Sequence, residues 1–114
     1  MKKLLPLLLI CVFLFAGCGD SRPQYMDEDT YDIGLQALKI EERYQKGSLD
    51  VSEANDQLHD LWSDLDAIYY KLDNLNEQIT NNSVSIAING FCIDATAGRD
   101  TTEKYDELKQ LLGQ

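Results

Sequence analysis

Apolar residues recur at steps of three and four over the middle of the chain: Val51, Ala54, Leu58, Leu61, Leu65, Ile68, Leu72, Leu75 and Ile79. Such steps turn one face of a helix inward. With Val51 at heptad position a, these residues fill every a and d site, and Trp62 and Tyr69 fall at e. A two-stranded coiled coil wants charge at e, whereas an apolar a, d and e stripe is the broader face of a multi-helix bundle. Asp50-Val51-Ser52-Glu53 has the spacing of a capping box. The pattern therefore predicts one long helix from Asp50 to Thr80, the spine of a bundle.

Two shorter rows precede it, Tyr31, Leu35 and Leu38 beside Ile33, Ala37, Ile40 and Tyr44. They predict a helix from Asp29 or Thr30 to Lys46, opened by the acids Asp27, Glu28 and Asp29 and stopped at Gly47. Gly34 inside it costs about 1 kcal/mol relative to Ala, which close approach of another helix would explain. Asn81-Asn82-Ser83 reads as a break. Beyond it, Val84, Ile86 and Ile88 alternate ahead of Asn89-Gly90, a hairpin signal, while Val84, Ile88, Phe91 and Ala95 keep helical spacing. A lone hairpin is marginal without a third strand, and nothing else in the body reads as strand. The expectation is a third helix, Ser83 to Ala97, with a β-hairpin at 84–95 as the alternative. Asp100-Thr101-Thr102-Glu103 repeats the capping spacing and opens a last helix through Leu112, with Tyr105, Leu108, Leu111 and Leu112 inward. The fold class is all-α: a small antiparallel bundle of three main helices plus a short C-terminal one.

The N-terminus has a different character. Met1-Lys2-Lys3 is cationic and Leu4 to Phe15 almost purely apolar. That run is shorter than the ~20 residues a bilayer span needs and has the layout of a secretory leader. Leu14-Phe15-Ala16-Gly17-Cys18 then sets two small residues before a cysteine and resembles the lipobox of bacterial lipoproteins. The resemblance implies a diacylglycerol on the Cys18 sulfur and cleavage between Gly17 and Cys18. Residues 1–17 would be removed, 18–28 would form the lipidated cysteine and a flexible tether, and 29–114 the helical domain. Two acyl chains anchor stably where one does not. Gly19 follows the cysteine, with Asp20 one later; the family's sorting rule then favours the outer membrane in a cell with two membranes. In a cell with one, the anchor leaves the protein on the outer face of the cytoplasmic membrane.

All 20 acidic residues lie after Cys18, against eight Lys and Arg, so the mature body carries −12. Phosphate backbones and anionic lipid surfaces would repel it, which excludes nucleic acid as a partner and direct adhesion to anionic head groups. A body of this size also excludes a two-lobed solute-binding protein, a transporter or a multidomain enzyme. Of the three cysteines, Cys11 falls in the leader and Cys18 carries lipid, leaving Cys92 with no partner for an internal disulfide. Among Ile88, Phe91, Ile93 and Ala95 it reads as a small core hydrophobe.

Candidate chemistry is sparse. His59, the single histidine, falls at position b beside Asp60, with Asp56 a turn earlier, and zinc-ligand spacings of His and Cys are absent. Carboxylate pairs such as Asp60 with Asp64 and Asp73 with Glu77 are what any helix of this charge displays. No phosphate loop, calcium loop or nucleophile elbow is present, so neither catalysis nor a cofactor or metal is expected. Tyr70, at position f amid Asp66, Asp73 and Asn74, is the candidate interaction residue, since exposed aromatics are enriched at interfaces. The expected function is a lipid-anchored envelope lipoprotein whose acidic helical domain binds or scaffolds another protein without catalysis. One alternative is an oligomeric coiled-coil spacer, similar to the small trimeric lipoprotein that ties outer membrane to wall, though Leu112-Gly113-Gln114 lacks that protein's terminal lysine. The other is a small-ligand carrier.

Overall fold

The computed structural model describes residues 22–114, which form four helices and no strand: α1 (Glu28–Gln45), α2 (Val51–Tyr69), α3 (Leu75–Thr96) and α4 (Thr102–Leu111). Each start has a local cause. Asp27 accepts a hydrogen bond from the Thr30 amide at 3.2 Å, and Glu28 and Asp29 fill the first turn of α1. The capping box at Asp50 forms with both bonds: its Oδ1 accepts from the Glu53 amide at 2.8 Å, and its own amide donates to Glu53 Oε1 at 3.2 Å. Gly47 and Gly98 take positive φ (83° and 74°) just past α1 and α3, where a β-carbon is strained. Packing begins earlier than composition suggested. Met26, within the expected tether, is buried at 2% exposure after a turn from Pro23.

Side-chain bonds tie the helix ends and fix the antiparallel order. Asn55 near the start of α2 donates to Thr96 at the end of α3 (2.8 Å), and Gln45 at the end of α1 donates to Thr101 ahead of α4 (3.1 Å). At the other end Gln114 donates to the Tyr31 hydroxyl at 3.2 Å. Helices α1 and α3 each touch all three others, while α2 and α4 flank them without meeting. The core holds Leu58 and Leu65 of α2, Val84, Ile88 and Phe91 of α3, and Leu108 of α4, with Leu112 just beyond it. Each contributes on the order of 1.5 to 3 kcal/mol through burial. The Tyr44 and Phe91 rings meet edge to face, their centroids 5.8 Å apart.

Several expectations are corrected. The long helix stops at Tyr69 rather than Thr80. Tyr70 caps it, Lys71 and Leu72 donate back to Ile68 and Tyr69, and Asn74 opens α3 by accepting from the Glu77 amide at 3.1 Å. Asn74-Leu75-Asn76-Glu77 is itself a capping arrangement, and it overrides the apolar period that runs across it. The segment Asn81-Asn82-Ser83 is helix interior, not a break. Asn81 is buried and bonded across the core, and the Thr80 and Ser83 hydroxyls return to the carbonyls of Asn76 and Ile79 at 2.8 and 3.0 Å. The hairpin alternative at 84–95 is likewise helix. The most extensively packed helix is thus α3, which meets all three others, rather than α2, which meets only α1 and α3. Finally, α4 starts at Thr102, and Asp100 bonds the Thr102 amide and hydroxyl instead of forming a capping box.

Candidate functional site

Helix α3 is apolar on two opposed faces. Inward lie Val84, Ala87, Ile88, Phe91, Cys92 and Ala95; outward, Leu75, Ile79, Ile86 and Ile93 are 67%, 55%, 65% and 52% exposed. At about 100° per residue the four outward side chains fall within about 40° of arc, a straight row about 27 Å long. Ile79, Ile86 and Ile93 stand seven apart. Asn82 and Asn89 are exposed in the same row, and their amides make no hydrogen bond among the described residues. From Gln78 to Ile93 the chain carries no charged side chain, in a protein of net charge −10. The solvation of this face therefore rests on Asn82, Asn89 and short hydroxyl side chains alone, with four aliphatic side chains exposed among them.

The row has defined margins. On the α2 side, Trp62 (41% exposed) shares a crevice with Leu58, Ile88, Asn89 and Cys92 that is too tight for a water molecule. The His59 ring meets Trp62 edge to face at 6.1 Å. On the α4 side, a β-carbon on Gly90 would lie 3.0 Å from the Lys104 side chain, so the glycine lets that chain lie across α3. Tyr70, the expected interaction residue, is 78% exposed, but it stands on the turn after α2 and not on a continuing helix. Its ring contacts Tyr69 at 5.4 Å. Leu75 and Ile79, expected in the core, belong to the outward row. From sequence, Ile86 entered only a hairpin signal and Ile93 only the surroundings of Cys92; their seven-residue spacing in an uncharged stretch is the signal that places them in one row.

A second feature lies inside. Glu41 is fully buried and neither carboxyl oxygen has a hydrogen-bond partner. Burial first, then the neighbouring Glu42, pushes its pKa up to about 9, so it is a neutral acid at pH 7. Glu42 instead accepts from the Tyr105 hydroxyl, whose pKa rises to about 12 through burial and that bond. Cys92 is a free, buried thiol pushed up to about 11, chiefly by burial and then by Glu41. At pH 7 burial thus holds both the Cys92 thiol and the Glu41 carboxyl in their protonated forms.

Among the described residues no group of three His, Cys, Asp or Glu side chains is arranged to hold a metal ion, and His59 is exposed. No described helix is long and apolar enough to cross a membrane. Gly17 and Cys18, the expected cleavage and lipidation site, lie outside the described residues. Comparison of the chain with models of known families, with curated proteins and with solved structures gives no match.

Proposed function

We propose that the protein is a bacterial cell-envelope lipoprotein, held to its membrane by lipid on Cys18, whose helical domain is a non-enzymatic protein-binding module. One observation carries the binding role: the exposed, uncharged apolar row of Leu75, Ile79, Ile86 and Ile93 on an otherwise acidic molecule. Exposed aliphatic side chains aligned on one uncharged helix face, with amides interleaved, support a protein interface. A flat membrane surface suits it less, since interfacial helices carry Lys and Arg around the apolar face, and α3 carries none. The lipobox-like residues before Cys18 support the envelope location.

The test is affinity capture of the tagged full chain from detergent-solubilised membranes, wild type beside Ile86→Asp, with acyl labelling of Cys18→Ala in parallel. The expected result is a specific protein, a further copy of the chain included, that is recovered with wild type and lost with Ile86→Asp. Ile86 is exposed, so circular dichroism should show both variants folded. Equal recovery in both, or a chain that takes up no acyl label at Cys18, overturns the reading.

A further inference from the structure

We infer that the partner for the outer face of α3 is a second copy of this chain, joined in parallel so that each outward residue meets its own counterpart; this rests on the binding role proposed above. The first reason is charge. A body of eight cations and 20 anions repels its own copies over most of its surface. The outer face of α3 between Gln78 and Ile93 holds no charge, so two copies meet there with the least repulsion.

The second reason is the order of residues along the row. With Ile79 at position a of a heptad, Ile79, Ile86 and Ile93 fill a and Leu75, Asn82 and Asn89 fill d. In a parallel pair a meets a and d meets d: isoleucine packs on isoleucine, and the free amides of Asn82 and Asn89 each find the same amide opposite. An antiparallel pair sets a against d, which places Ile79 on Asn89 and Ile86 on Asn82. Each amide would then be covered by an aliphatic side chain without a hydrogen-bond partner, a costly arrangement. An apolar partner of another kind would strand the same amides.

Parallel pairing also has a topological consequence. Thr30 of α1 contacts Asn81 of α3, so the N-terminal ends of these helices lie together. Two copies related by an axis along α3 therefore send both chain starts out at the same end, compatible with two lipid tethers in one membrane. Tethering in turn raises the effective concentration of a seam one helix wide.

The test is oxidative cross-linking of the full chain in its native membranes, with single cysteines at Ile79, Ile86 and Lys39, the last an exposed residue of α1 away from the row. A disulfide needs the two α-carbons within about 7 Å. The expected result is a covalent dimer for Ile79→Cys and for Ile86→Cys, at least tenfold above Lys39→Cys. A dimer from Ile79→Cys mixed with Asn89→Cys, with none from Ile79→Cys alone, overturns the parallel arrangement. Equal dimer at all three positions, or none, overturns self-association. If affinity capture still recovers a different protein in an Ile86-dependent way, this inference alone falls and the binding role stands.

Discussion

Asn81 of α3 donates its side-chain amide to the hydroxyl of Thr30 in α1 at 3.0 Å, and to the carbonyl of Leu65 in α2 at 3.1 Å, 1% exposed in the middle of the bundle. One polar side chain thus ties three helices and fixes how far α3 slides along the other two. Buried amides are retained where they specify register, and leaving one unpaired costs about 1 to 3 kcal/mol.

From this bond we predict that Thr30→Val, which keeps shape and removes the acceptor, destabilises the fold by about 1 kcal/mol, and Asn81→Ala by about 3. Urea unfolding of the two single variants and the double one should give a coupling of about 1 kcal/mol. Additive losses would show that the two side chains do not act as a pair.

The end of the chain packs on a glycine. A β-carbon at Gly34 would sit 2.5 Å from Leu112 Cδ2, and Leu112 is fully buried. Gly34→Ala should therefore destabilise by about 1 kcal/mol, overpacking outweighing the gain in helix propensity. In a Leu112→Ala background the sign should reverse, with Gly34→Ala stabilising by about 1 kcal/mol. Thermal melts of the four chains decide it; the same sign in both backgrounds contradicts the contact.

The sequence made the helical class, α1 and the Asp50 box legible because those signals are local and agree with one another. Gly34 was readable for the same reason, as a glycine in a helical row that needs a close neighbour. The junction at Tyr70 was not, because Leu72, Leu75 and Ile79 continue the apolar period of α2 while a weaker cap at Asn74 ends it. Periodicity records that a face is apolar, not whether the neighbouring helix covers it, and on α3 one such face stays exposed. Asn81 resembled a turn residue by type, and its burial depends on Thr30 and Leu65, residues distant in the chain. Glu41 stands in register with Ala37, Leu38 and Tyr44, so its inward direction was readable; its charge argued for the surface and misled.

The Asp50 box supports the start of α2, so Asp50→Ala should cost about 1 kcal/mol. Asp100→Ala, at an exposed site without a box, should cost less. Parallel urea titrations of the two variants check the order.

Glu41 sets a pH dependence whose sign follows from its burial. The unfolded chain releases this proton near pH 4.5, whereas the folded protein keeps it to about 9. The folded state binds the extra proton between those values, so its contribution to stability falls as pH rises through that window. Glu41→Gln should flatten the fall, seen as a smaller loss of urea midpoint between pH 5 and 8. Glu41→Met, which also removes the unpaired oxygens, should stabilise at pH 7 by on the order of 2 kcal/mol. A wild-type slope equal to that of Glu41→Gln would place the carboxyl in water.

Cys92 offers a probe of the same interior. Its thiol lies at 7% exposure, and its pKa is pushed up to about 11 by burial and by Glu41, so little thiolate is present at pH 8. Alkylation requires the thiolate and an open path, and the crevice beside Trp62 and Asn89 does not admit water. The native chain should therefore react with iodoacetamide at pH 8 at least a hundredfold more slowly than the urea-unfolded chain, with Cys92→Ala as the blank for any other thiol. Glu41→Met removes one cause of the raised pKa but leaves the path closed, so it should leave the native rate nearly unchanged. A native rate within a few-fold of the unfolded one would mean that α2 and α3 part at Trp62, a breathing motion beside the outer face of α3.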